Sequence, residues 1–255
     1  MQSLVYFFVV VISLIFGSFL TVATEDPEGL VWLKKKRSRC PKCGHVLGAL
    51  DLVPVLSFLL QRGRCRYCSK NIPLHHIYTE LAAVFLALMA IFFSAKPLGY
   101  DFVFSFIFLE ILLALTLTDL KFQTLPDIFV GALGVLGVVK VFFLGHLSIN
   151  SALLGAILGV IVLGGFALFS KGRAMGWGDV KLAGAMGLVL GAGQVVFAIL
   201  LAFVLGGIVG AVLLIGKKAT AKSKIAFGPF LTLATAIFLL FPGLYVQILF
   251  FYGLM

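Results

Sequence analysis

The chain has 255 residues, 62% of them hydrophobic and 12% charged, with a mean hydropathy of +1.16. No soluble domain of this length carries that composition, so the bilayer must be its solvent. The formal charge of +10 would suit a nucleic-acid binder, but the basic residues sit in short segments between apolar runs, where they orient a membrane protein, and nucleic acid is excluded as a partner.

A helix needs about 20 apolar residues to cross roughly 30 Å of hydrocarbon, and helices keep their backbone satisfied in lipid. The apolar runs predict spans over 3–23, 77–95, 101–118, 127–144, 151–170, 180–192, 194–216 and 227–252. The expected fold is an all-α polytopic membrane protein of about eight transmembrane helices with a small cytosolic zinc-binding loop domain. Residues 1–23 form the first helix, 24–76 the loop domain, and 77–255 a seven-helix membrane catalytic domain. The first run lacks a basic n-region and is read as a retained span, not a signal peptide. Leu182 to Gly216 is too long for one span, and Gly191, Ala192 and Gly193 mark where it divides. With the N-terminus outside, 18 of the 20 Lys and Arg fall on the cytoplasmic side, and only Lys96 and Lys140 lie toward the outer face.

The loop holds all four cysteines, as Cys40-Pro-Lys-Cys43 and Cys65-Arg-Tyr-Cys68, with 21 residues between the pairs. Two such knuckles suit one tetrahedral Zn²⁺. Disulfides rarely persist in the reducing cytosol, and four thiolates close the coordination shell, so a structural metal is expected. The run Lys34 to Arg37 is expected to meet anionic headgroups or solvent. His45, His75 and His76 are read as loop and interface residues, not ligands.

Ten residues are acidic, and each one near a span needs a reason, because a carboxylate in lipid is expensive. Glu80 and Glu110 fall within predicted spans, either as relay or substrate groups or as polar groups bonded between helices or reaching an interface; the second reading is preferred. Asp119 ends the third span in TDLKFQTLPD, and Asp179 begins the sixth in GWGDVKL. The helix dipole explains Asp179 and also Asp127, which follows Pro126, but not Asp119 at a helix C-terminus. The topology puts Asp119 and Asp179 at one membrane face, from different helices, as an aspartic protease requires. Gly176 and Gly178 would let a substrate backbone approach Asp179 closely. Together with Asp127 and Lys181 they are expected to support the site.

At these residues the sequence resembles the type IV prepilin leader peptidase family of GxGD-type intramembrane aspartic proteases. The matching elements run in order: GSFL at Gly17 to Leu20, the two CxxC pairs, VPVLSF at Val53 to Phe58, RGRCRYC at Arg62 to Cys68, TDL with LPD at Thr118 to Asp127, and GWGDVKLAGAMG at Gly176 to Gly187. The resemblance implies that Asp119 and Asp179 are the catalytic pair of a bacterial inner-membrane enzyme. It implies removal of the basic leader of prepilins or pseudopilins on the cytoplasmic side. Many family members then methylate the new N-terminus with S-adenosylmethionine, a cofactor for which the sequence has no glycine-rich dinucleotide fingerprint. One departure follows GSFL: where the family continues with an Asn and a basic residue, this chain reads TVATEDPEGL, placing Thr21 at the Asn position and Glu25, Asp26 and Glu28 beyond it.

Two other classes compete. An ion-coupled transporter would place its carboxylates near the midplane and show a repeated half-sequence. A non-enzymatic assembly factor gives no reason for GxGD beside a second aspartate.

Overall fold

The computed structural model describes every residue except 1, 31–36, 95–97, 146, 173–174, 219, 221–222, 224 and 252–255, so Lys34 to Lys36 and Lys96 lie outside the described residues. It is helical, with α1 (Gln2–Ala23), a short α2 (Leu56–Leu60), α3 (His75–Phe93), α4 (Tyr100–Phe122) and α5 (Asp127–Val139). A π-helical turn, Lys140–Leu144, continues α5. Then come α6 (Ile149–Phe169), α7 (Trp177–Ile215), α8 (Gly228–Leu240) and α9 (Gly243–Phe251). Among the described residues six helices, α5 counted with its π turn, are long and apolar enough to cross a membrane, and the bent pair α8 and α9 makes a seventh if counted as one span.

The expected count of eight turns on α7. Its 39 residues would run about 58 Å as one straight helix, nearly twice the hydrocarbon thickness. The backbone leaves helical geometry inside it only at Gly191, with φ 79 and ψ 175, where the sequence reading divides the run. Breaking a helix in an apolar setting orphans backbone groups, and side chains take them up here. Lys140 Nζ donates to the Val189 carbonyl at 2.8 Å, and the Ala192 N–H donates to Ser151 Oγ at 3.3 Å. Gly191→Ala is expected to destabilise the protein by about 2 kcal/mol or more, because a Cβ there would meet left-handed strain and Ser151 Oγ at 2.7 Å. Thermal unfolding in detergent checks this.

The last expected span, 227–252, is bent: α8 and α9 meet at 94°. Pro242 lies at the corner, where it supplies no N–H and blocks continuation of the preceding helix.

The chain forms two compact units, Met1–Ala114 and Leu115–Met255, with α4 contributing to both. In the first, α1 meets α3 with backbones in contact: a Cβ on Gly17 would stand 2.7 Å from Glu80 Cα. In the second, Gly155 and Gly159 of α6 lie one turn apart against Gly187 and Ala183 of α7, and a Cβ on Gly155 would be 2.5 Å from the Gly187 carbonyl oxygen. Small residues at this spacing let membrane helices pack closely without a hydrophobic driving force. The pairing fixes the half of α7 that begins at Trp177 and carries Asp179.

Candidate active site and cysteine cluster

Asp119 lies on the last turn of α4, buried with 6% exposure. The negative end of α4 disfavours a carboxylate there, but α8 supplies the opposite pole. Asp119 Oδ2 accepts the backbone N–H of Gly228, the first residue of α8, at 2.8 Å. The carboxylate therefore caps a second helix from outside. One turn further along both helices, Thr116 and Thr232 share a hydroxyl hydrogen bond of 2.7 Å. Sequence reasoning missed Gly228. The available signal was Gly-Pro at the head of the last apolar run, since Pro229 in the first turn marks a helix start.

Asp179 lies in the first turn of α7, where its Oδ2 accepts the Gly176 N–H at 3.2 Å. It is partly exposed, unlike Asp119. Both carboxylates thus stand at helix N-termini, Asp179 at that of its own helix and Asp119 at that of α8. They are near enough for the charge of Asp119 to act on Asp179. Leu125 lies between the two supporting backbones, since a Cβ on Gly178 would stand 3.2 Å from Leu125 Cβ and one on Gly228 would stand 3.1 Å from Leu125 Cδ2.

The remaining expected site residues divide. Gly176 supplies the N–H that holds Asp179, and Gly178 meets Leu125. Asp127, in the first turn of α5, pairs with Lys181 of α7 at 2.7 Å, with both side chains largely exposed. That pair ties the LPD element to the GxGD helix on the side open to solvent.

Glu80 and Glu110 differ. The Glu80 carboxylate accepts the Val55 N–H at 2.7 Å, so it joins α3 to the loop as a polar group bonded between elements. Glu110, in the middle of α4 and 2% exposed, finds no hydrogen-bond partner for either carboxylate oxygen among the described residues. The preferred sequence reading of Glu110 as bonded or reaching an interface is therefore corrected. Glu110→Leu is expected to raise stability by about 1 to 3 kcal/mol, since it removes a buried polar group without leaving a partner unpaired. A shift in thermal midpoint in detergent checks it.

In the loop, the four cysteine sulfurs all lie within 4.8 Å of one another, and none is in a disulfide. Cys40 Sγ and Cys68 Sγ are 3.9 Å apart. Ligands at about 2.3 Å in a tetrahedron would stand about 3.8 Å apart, so the donors fit one Zn²⁺. The two knuckles repeat one backbone design at an offset of 25 residues. Cys40 N–H donates to the His45 carbonyl and Cys65 N–H to that of Lys70, while the Gly44 and Ser69 N–H groups return to the Cys40 and Cys65 carbonyls. Bridges Arg39–Val46 and Arg64–Asn71 close them. The backbone N–H groups of Cys43 and Lys42 bring the Cys40 thiol down to about 6, toward the thiolate a metal needs. His45 stacks on Tyr67 at 3.5 Å, and Asp51 gathers Tyr67, Gln61, Arg66 and the Gly48 N–H around its carboxylate. Asp51 was not singled out from sequence.

Beyond GSFL, the Thr21 hydroxyl turns back onto its own helix and donates to the Gly17 carbonyl at 3.0 Å.

Comparison with known proteins bears on both centres. Residues 11–94 match the bacterial peptidase A24 N-terminal domain, and residues 106–211 match the type IV leader peptidase family. A prepilin leader peptidase/N-methyltransferase of Aeromonas hydrophila is 32% identical over 93% of this chain and 90% of its own length. Proteins of the same name from Dichelobacter nodosus and Pseudomonas aeruginosa are 30% and 32% identical, over 84% and 87% of this chain and 74% and 77% of theirs. No solved structure matches significantly.

Proposed function

The chain belongs to the type IV leader peptidase family, and from that premise we propose that Asp119 and Asp179 are the catalytic pair of a membrane prepilin peptidase. The enzyme removes the leader of type IV prepilins or pseudopilins. The observation that supports the assignment is that carboxyl groups from α4 and α7, each with one oxygen held by a backbone N–H, stand near enough for the charge of Asp119 to act on Asp179. Two such groups at close quarters hold one proton between them. The ionised carboxyl takes a proton from water as its oxygen bonds to the scissile carbonyl carbon, and the protonated one hydrogen-bonds the carbonyl oxygen as negative charge develops there. Collapse of the tetrahedral adduct breaks the C–N bond, and the leaving amine takes up the proton.

Gly176 and Gly228 act as positioning residues, and the exposed Asp127–Lys181 pair links α5 to α7. The loop domain of residues 24–76 lies in the cytosol with a structural zinc on Cys40, Cys43, Cys65 and Cys68. The protein crosses the inner membrane with its N-terminus outside and its aspartates toward the cytoplasm, a reading supported by the excess of Lys and Arg on the cytoplasmic side. The relatives give the transporter reading no support. Methylation of the new N-terminus with S-adenosylmethionine is the second activity, resting on the relatives' shared name.

The test is purified protein in liposomes with a prepilin, with and without S-adenosylmethionine. Mass spectrometry is expected to show a mature chain beginning at the hydrophobic segment, carrying a methyl group only when the cofactor is supplied. An uncut prepilin overturns the peptidase reading, and a cut but unmodified terminus removes the methyltransferase. Metal analysis of the same preparation is expected to give one zinc per chain. Cys40→Ser is expected to expose the loop to protease before the membrane helices unfold.

A further inference from the structure

Within the first unit, α2 presents a leucine face that no part of the described loop covers. Leu56, Leu59 and Leu60 fall on one side at helical spacing and are 53%, 62% and 73% exposed, while Phe58 turns inward against Gly63. Directly after them come Arg62, Arg64 and Arg66, all exposed, around a cavity of about 560 Å³ beside the Cys65 knuckle. Arg66 leans on Asp51 at 3.6 Å. Among the described residues, Arg62 and Arg64 have no acidic partner.

An independent contact fixes the depth of this segment. Val55, the residue before α2, donates its N–H to Glu80 on α3 at 2.7 Å. Glu80 is five residues beyond His75, the first of α3, or about 7.5 Å along the axis. The entry of α3 has the character of a membrane interface, with His75 and His76 stacked and Tyr78 66% exposed. The polar layer of a leaflet is itself only about 5 to 7 Å deep. The bond to Glu80 therefore holds the start of α2 near the inner edge of the headgroup layer, where an apolar face next to arginines without an acidic partner among the described residues meets acyl chains and phosphates.

We propose that α2 is an interfacial anchor: Leu56, Leu59 and Leu60 lie against acyl chains of the cytoplasmic leaflet, and Arg62 and Arg64 take the phosphate of an anionic phospholipid. Guanidinium pairs phosphate oxygens through two parallel N–H bonds. The same positive charge disfavours the basic leader of a prepilin as the occupant.

The test uses the full chain in nanodiscs of mixed phosphatidylcholine and phosphatidylglycerol, with bromine on the acyl chains of one lipid or the other. The fluorescence added by Leu60→Trp, read as the difference from the parent protein, is expected to be quenched by both. Brominated phosphatidylglycerol should quench it about twofold or more the better. Adding Arg62→Gln and Arg64→Gln should abolish that preference while quenching and metal content persist. Arg62→Gln alone, expected to halve the preference, repeats the comparison if the double variant loses its metal. Absence of quenching by either lipid overturns the anchor and leaves a protein-facing surface. Equal quenching by the two lipids in the Leu60→Trp protein, or a preference that survives neutralisation, overturns the phosphate site.

Discussion

Asp119→Asn and Asp179→Asn are each expected to lower leader cleavage by about 10² to 10⁴-fold or to the detection limit, with expression, membrane insertion and metal content unchanged. The structure makes this substitution unusually clean. Each carboxylate is held through one oxygen by a backbone N–H, from Gly228 or Gly176, and an asparagine carbonyl can accept the same bond. What asparagine cannot do is exchange a proton, so loss of cleavage in a folded variant isolates the acid–base role. Asp127→Asn removes only a surface pair with Lys181 and a first-turn charge on α5, together about 1 kcal/mol, and should retain most activity. Rates on a purified prepilin decide the matter. If Asp127→Asn is dead and Asp119→Asn active, the pair is misassigned within TDLKFQTLPD. A fully active Asp179→Asn enzyme would remove the aspartic mechanism itself.

Features confined to one stretch of chain were legible in the sequence. Apolar runs revealed the helices, and two CxxC pairs announced a cluster whose sulfurs do gather within 4.8 Å. The Gly-Ala-Gly stretch at 191–193 located the break in α7, because only glycine takes φ 79 without strain. Partners far apart in sequence were not legible. Nothing near Asp119 indicates that its carboxylate is bonded 109 residues away, and nothing near Lys140 indicates the Val189 carbonyl. The corner at Pro242 was hidden for a different reason: hydropathy averages over a window, and a single proline in an apolar run barely changes the average although it ends a helix. Glu110 was misjudged because burial normally implies a partner, and sequence cannot reveal an exception.

Gly228→Ala is expected to lose nearly all cleavage although no reacting group is changed. A Cβ at this position would stand 2.6 Å from Asp119 Oδ2 and 3.0 Å from its Cγ, well inside van der Waals contact, with Leu125 Cδ2 at 3.1 Å on another side. Relief requires the carboxylate to leave the N-terminus of α8 or α8 to back away. Either movement breaks the 2.8 Å bond that holds Asp119 and offsets it from Asp179. Displacement of a reacting group by about 1 Å can cost on the order of 10²-fold in rate. Thr232→Val is the matching control. It cuts a second tie between α4 and α8, a hydroxyl bond of 2.7 Å, without touching the carboxylate, and should cost about 1 kcal/mol of stability but little rate. Measuring cleavage and thermal midpoint for both variants separates the readings. A Gly228→Ala enzyme that cuts at the normal rate would show that Asp119 does not need its cap, whereas equal losses in both variants would mean that α8 serves the fold and not the position of the carboxylate.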